Sequence, residues 1–193
     1  YTHENSSAAS DVYKRQRQCV RTNRPEFMNP LWGGLNVAGF AGEVIAALTN
    51  QSMYTYELSP IATLIEQAIV ERMMEIVGYA EGFGTLTTGG SNGNMMGMLC
   101  ARQASHPMSS ITGFDGSKYV AFVSAEAHYS VLMSANVVGI GYQNLVKVAC
   151  DSRGRMKPES LVEEIVRART NGQTPFCIIA TSGTTVRGAF DPL

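Results

Sequence analysis

The sequence predicts an α/β fold with a mostly parallel sheet flanked by helices. Two observations carry that reading. From Thr85 onward β-rich segments alternate with helical ones, and a run such as Phe176–Ala180 is apolar without interruption. A strand with no polar face belongs in a sheet covered on both sides, as parallel sheets joined by helices are. A third observation concerns ligands. Three loops bearing Gly, Ser, Thr or His begin where predicted strands end, and open parallel sheets bind ligands beyond the carboxyl ends of their strands.

The elements follow in order. Arg24-Pro25 to Gly34 reads as irregular backbone, interrupted by Pro25, Pro30 and Gly33-Gly34. A helix follows over Val37–Leu48. A better-marked helix comes next: Ser59 is placed to cap it and Pro60 suits its first position. Ile61, Leu64, Ile65, Ala68, Ile69, Met73 and Ile76 form its apolar stripe, and Gly78 closes it. Thr85–Thr87 reads as a short strand and Asn94–Gln103 as a helix. Tyr119–Ser124 is a strand, Ser130–Val138 a helix and Leu145–Ala149 a strand. Pro158 opens a helix to Ala168, with Glu159 in its first turn, and Phe176–Ala180 is the last strand. Met95, Met96, Met98 and Leu99 read as helix core. Tyr54-Thr55-Tyr56-Glu57 reads either as an ordered loop on its own unit or as a loop reaching a partner subunit.

Composition narrows the function classes. The chain has 193 residues, 45% hydrophobic and 16% charged, with a formal net charge of −1. That balance gives no electrostatic case for nucleic acid or an anionic membrane. No apolar run is long enough to span a bilayer. Cys19, Cys100, Cys150 and Cys177 include no C-x-x-C pair, which argues against a zinc site, so no metal is expected. A reducing, cytoplasmic setting is the simplest expectation. Residues 1–18 differ from the rest. Asn5–Ser10 is small and polar, Lys14-Arg15-Gln16-Arg17 is basic, and Asp11–Gln16 resembles a translated sequencing scar. The segment is read as a disordered or non-native tail.

Three stretches carry the chemistry. Thr88-Gly89-Gly90-Ser91 precedes a helix. Glycine admits close backbone approach, and the helix amides favour an anion, with the Ser91 hydroxyl as a further donor. The same residues also suit a plain tight turn that packs helix on sheet. It matches neither a Walker A loop nor G-x-G-x-x-G. His128, in Ala127-His128-Tyr129-Ser130, offers a flat ring for stacking or a proton shuttle, or is a loop histidine bonded to backbone. His106, beside Pro107, reads as solvated. Thr181, Thr184 and Thr185 present hydroxyls that suit a carboxylate or phenolic oxygen, or else serve turn chemistry. Asp191-Pro192 reads as the start of a further turn or helix rather than a catalytic acid.

Together with Arg24–Asn29, Met53–Glu57, Glu66-Gln67 and Gly183–Pro192, these stretches resemble the group II pyridoxal-phosphate-dependent decarboxylases. The likeness is strongest to the glutamate and cysteine-sulfinate branch, and it runs from about Val20 to Leu193. The resemblance implies a partial type I fold of PLP-dependent transferases and pyridoxal phosphate as cofactor. It implies an amino-acid substrate of the acidic class and a homodimer with sites at the subunit interface. Gly90 and Ser91 match the cofactor-phosphate turn. His128 matches the histidine stacked on the pyridine ring. Thr185 matches the threonine near the phenolic oxygen and substrate carboxylate. His128 and Thr185 are thus the catalytic candidates, and Gly90, Ser91, His128 and Thr185 the cofactor-binding ones. By the same resemblance residues 19–58 contribute to the dimer and substrate site, and 59–193 form an incomplete large cofactor-binding domain. Lys14, Lys118, Lys147 and Lys157 match neither the Schiff-base lysine nor its surroundings, so the chain is expected to be an N-terminal fragment, inactive by itself. One departure bears on substrate. Pro30 stands where glutamate decarboxylases carry a glutamine that binds a substrate carboxylate, and proline has no such donor. Two other readings stay open: another type I PLP lyase, and a non-catalytic binding or assembly module of the same fold. A lysine next to histidine further along, with an aspartate on the preceding strand, would separate an enzyme from the last.

Overall fold

The computed structural model describes residues 14, 17–29 and 33–192. Most of the expected tail, His3 and Pro30 lie outside them. The chain divides into two compact units, Tyr1–Gly84 and Thr85–Leu193. The division falls later than the boundary expected after residue 58, because the helix that begins at Pro60 belongs to the first unit.

Two helices of the first unit lie wholly among the described residues. Helix α1 spans Val37–Thr49. Asn36 caps it by accepting the Gly39 N–H at 2.8 Å, and Asn50 ends it in the left-handed conformation. Helix α2 spans Pro60–Val77 and ends at left-handed Gly78, as its sequence predicts. The cap is a correction. Ser59 occupies the N-cap position, but its buried hydroxyl donates to Gln51 Oε1 at 2.8 Å instead of accepting from the helix. Neither helix contains a buried residue. The predicted stripe of α2 is real in spacing, yet Ile61, Leu64, Ile65, Ile69, Met73 and Ile76 all face outward as exposed side chains.

The second unit is the predicted α/β layer. Its elements are α3 (Gly90–Ser105), α4 (Ser109–Thr112), β1 (Tyr119–Ser124), α5 (Ser130–Val137), β2 (Leu145–Val148), α6 (Pro158–Thr170) and β3 (Thr174–Ile179). The three strands are parallel in the order β2-β1-β3. Side-chain alternation splits β1 between two cores. Ala121 and Val123 pack with Met98 of α3 and with Val131 and Ala135 of α5. Val120 and Phe122 pack with Val148, Met156 and Ala168 of α6. Met95 and Leu99 join the first core, as read from the sequence.

Two strand expectations need correction. Thr85–Thr87 is irregular backbone, outside the three-stranded sheet, so the first loop does not follow a strand. β3 is only half-buried, because it has a paired neighbour on one side. Its register slips between Val120 and Ala121, opposite Pro175, which has no N–H to give the ladder. His106 is also more than solvated. Its Nδ1 lies 3.2 Å from the Tyr119 hydroxyl, and its ring leans on Phe114 and Tyr119.

The β2–α6 turn is held by Asp151. Its carboxylate accepts the Arg153 and Arg155 N–H groups at 2.9 Å and Arg155 Nε at 2.8 Å. The Arg155 backbone and side-chain hydrogen bonds pull its pKa down to about 2. Because the folded value is depressed, this support is complete above the ordinary carboxylate range and is lost as pH falls through about 2.

Burial predicts unequal local stability. In native-state hydrogen exchange the amides of Val120–Val123 should be the slowest, and those of α1 and α2 faster by on the order of a hundredfold or more. Equal protection in α2 and β1 would contradict this partition.

Candidate functional site

Helix α3 begins four residues earlier than its apolar pattern suggests. Gly89 is its N-cap, with φ 141°, a conformation that side-chain-bearing residues avoid. No side chain caps the helix. Gly90 and Ser91 therefore lie in the first turn, where amides have no intrahelical acceptor. Thr87 steadies the entry by donating its hydroxyl to Gly89 O at 3.2 Å.

His128 lies four residues beyond the end of β1 and is half-buried. Its Nδ1 is 2.8 Å from the Ser130 hydroxyl and receives the Ser130 N–H at 3.2 Å. Asn94 of α3 donates to that same hydroxyl at 2.8 Å. The Tyr129 ring sits 4.2 Å from the imidazole, centroid to centroid, tilted by 39°.

The three threonines have separate fates. Thr184 is buried, and its hydroxyl accepts the Ala189 N–H at 3.0 Å. Thr181 is gripped through its backbone by Asp191. Its N–H donates to Asp191 Oδ2 at 2.9 Å, and its carbonyl accepts the Asp191 N–H at 2.9 Å. Thr185 is exposed, and among the described residues no hydrogen bond uses its hydroxyl.

The start of α3 meets the ends of both β1 and β3. Gly93 and Asn94 line a cavity with Ile179 and Ala180 at the end of β3. Ser91 and Asn92 line a groove with Tyr129 and Ser130. The N-terminal turns of α3 thus lie against both strand-end loops. A longer tie joins the loops themselves: Arg187 reaches Glu126 at 3.8 Å and the Ser152 carbonyl at 3.4 Å. Cys177, on β3 behind the same cavity, has its thiol pKa raised by burial. Among the described residues no cluster of His, Cys, Asp and Glu could hold a metal ion.

Comparison with known proteins adds the family. The pyridoxal-dependent decarboxylase conserved domain matches residues 4–193. The chain belongs to the pyridoxal-dependent decarboxylase family. Acidic amino acid decarboxylase GADL1 of Mus musculus is 46% identical over 175 residues, which is 90% of this chain and 32% of that protein. Cysteine sulfinic acid decarboxylase of Mus musculus is 41% identical, over 90% of this chain and 36% of its own. The crystal structure of mouse CSAD in apo form superposes with a TM-score of 0.92 at 36% identity, covering all of this chain and 42% of that one. This decarboxylase-family chain therefore spans about a third of the length of the curated relatives it matches. Its sheet is a partial version of the fold those structures share, and the family's cofactor is pyridoxal phosphate.

Sequence reasoning missed three supports of this edge. Asn94 and Ser130 carry no motif of their own, though a serine two residues after a histidine is within backbone reach of Nδ1. Asp191 reads as a turn residue, but it is a buried carboxylate. Its Oδ1 accepts the Met156 N–H at 2.6 Å while Oδ2 holds Thr181. Both oxygens meet backbone donors, so an amide there must turn an N–H towards one of them. Asp191→Asn should destabilise the second unit by about 1–3 kcal/mol, read as a lowered urea midpoint. An unchanged midpoint would show that the two hydrogen bonds contribute nothing net.

Proposed function

We propose that this chain supplies the cofactor-holding edge of a decarboxylase that acts on an acidic amino acid. The reading is supported by three unlike groups in the loops of the second unit: the uncapped first turn of α3 at Gly90 and Ser91, the half-exposed His128 ring, whose following residues line one groove with Ser91, and the exposed Thr185 hydroxyl. Helix-start amides suit a phosphate, an imidazole face suits a flat aromatic ring, and a hydroxyl suits a phenolic oxygen or carboxylate. That donor set fits pyridoxal phosphate.

When bound, the cofactor supplies an electron sink that lets an α-carboxylate depart as carbon dioxide. The residues of this chain hold and orient. Gly90 and Ser91 would hold the phosphate end through first-turn N–H groups that have no intrahelical acceptor. His128 would cover one face of the cofactor ring and so limit its rotation about the phosphate. Thr185 would offer its hydroxyl to the phenolic oxygen or the substrate carboxylate. Groups placed before binding need little reorganisation during reaction, which is where much of the rate advantage of such sites arises.

The acidic class is supported by the two relatives, whose names are acidic amino acid decarboxylase and cysteine sulfinic acid decarboxylase. Pro30 favours aspartate, cysteine sulfinate or a similar substrate over glutamate, since it offers no donor to a distal carboxylate. A homodimer is consistent with the outward apolar stripe of α2, a surface for the remainder of the protein or a partner subunit to cover. A cytoplasmic setting is supported by four cysteines that are all free thiols. No described helix is long and apolar enough to cross a membrane.

The test uses a full-length protein carrying this chain. His128→Ala should lower turnover more than tenfold, at least ~1.4 kcal/mol in the barrier, and weaken cofactor retention. Thr185→Val keeps the shape and should lower turnover by about tenfold, with the phosphate anchor intact. Normal turnover and normal cofactor absorbance in His128→Ala would return that residue to the role of a loop histidine.

A further inference from the structure

We infer that Asn94 and Ser130 act as a relay that fixes the tautomer and orientation of His128. They are positioning residues and do not touch the reacting atoms. The inference rests on the reading of His128 as the ring-stacking residue, but its geometry stands apart from any cofactor.

The direction of every bond follows from one group. The Ser130 backbone N–H can only donate, and it points at Nδ1 of His128 at 3.2 Å. Nδ1 of the neutral ring is therefore an acceptor, so the proton resides on Nε2. The Ser130 hydroxyl, 2.8 Å from the same nitrogen, must then turn its own proton towards the ring. Its oxygen is left to accept, and Asn94 Nδ2 supplies that donor at 2.8 Å. Ser130 is 2% exposed, so water does not compete for the hydroxyl. The three bonds form a one-way chain from α3 to the imidazole. The helix that would hold the phosphate thereby also orients the ring that would cover the cofactor. Among the described residues no further hydrogen bond reaches the His128 ring, and Tyr129 meets it through ring packing.

An aspartate at 94 has the same shape and can only accept. It draws the Ser130 proton away from Nδ1 and sets the hydroxyl oxygen as an acceptor towards the ring. The Nδ1–H tautomer then gains a partner, although it opposes the Ser130 N–H.

The experiment is long-range proton–nitrogen NMR on the labelled chain near about pH 8, above the ordinary histidine range. The wild-type His128 ring should show a single Nε2–H pattern with Nδ1 as acceptor. Asn94→Asp should change the tautomer ratio by about tenfold towards Nδ1–H. Ser130→Ala, left with the backbone N–H alone at Nδ1, should show a weakened Nε2–H preference, and Ser130→Thr, which keeps the hydroxyl, should retain the full one. Unchanged β1 amide signals establish that each variant is folded, and the isosteric Asn94→Asp keeps the test valid if Ser130→Ala is not. A wild-type ring that is Nδ1–H or evenly mixed, or an Asn94→Asp ratio within about twofold of wild type, would overturn the relay. If the tautomer shifts as expected while His128→Ala leaves cofactor retention intact, the relay stands and the reading of His128 as the stacking ring fails.

Discussion

The central strand must lose water on both faces before any of the site exists. Val120, Ala121, Phe122, Val123 and Ser124 are all buried, and their alternation assigns Val120 and Phe122 to one core, Ala121 and Val123 to the other. Full burial of a Val or Phe side chain is worth about 1.5–3 kcal/mol each, so β1 is the most heavily anchored segment of the second unit. Its last residue already turns towards function. The Ser124 hydroxyl accepts the Glu126 N–H at 3.3 Å and meets Cys150 Sγ at 3.2 Å. The chain therefore leaves the sheet with its direction set, and His128 arrives two residues after Glu126.

Beyond the strand ends, polar groups divide into those that fix loops and those that remain open. Asp191 spends both oxygens on backbone N–H groups, and Thr184 spends its hydroxyl inside its own loop. Ser130 spends its hydroxyl on His128, and Asn94 spends its amide on that hydroxyl. Among the groups left open are the first amides of α3, the outer side of the imidazole and the Thr185 hydroxyl. Adjacent residues of the same type thus do opposite things. Thr184 is structural because it turns inward to Ala189, and Thr185 is available because it does not. The Arg187–Glu126 pair, half-exposed and 3.8 Å apart, adds a weak strap between the loops rather than a large energy.

Much of this was legible in the sequence, for physical reasons. Apolar runs located β1 and β3, and Pro158 and Gly78 located a helix start and a helix end, because these residues restrict the backbone wherever they occur. The family resemblance picked out Gly90, Ser91, His128 and Thr185, and the structure brings Ser91 and the His128 loop to one groove. Other features were not legible. Thr85–Thr87 has β propensity but no paired strand, and pairing is a tertiary property. Ser59 has the right position for a cap, but Gln51 offers its hydroxyl a better-placed acceptor. The roles of Asn94 and Asp191 depend on partners 36 and 35 residues away, a distance over which local patterns carry no information.

The central claim is that the α3 start, His128 and Thr185 form one cofactor site. A titration of the labelled chain with pyridoxal phosphate, followed amide by amide, tests it most directly. The account predicts shifts concentrated at Gly90, Ser91, Asn92, His128 and Thr185, with inorganic phosphate reproducing those of the α3 amides alone. Shifts confined to the neighbourhoods of Lys118, Lys147 and Lys157, with the strand-end loops silent, would contradict it.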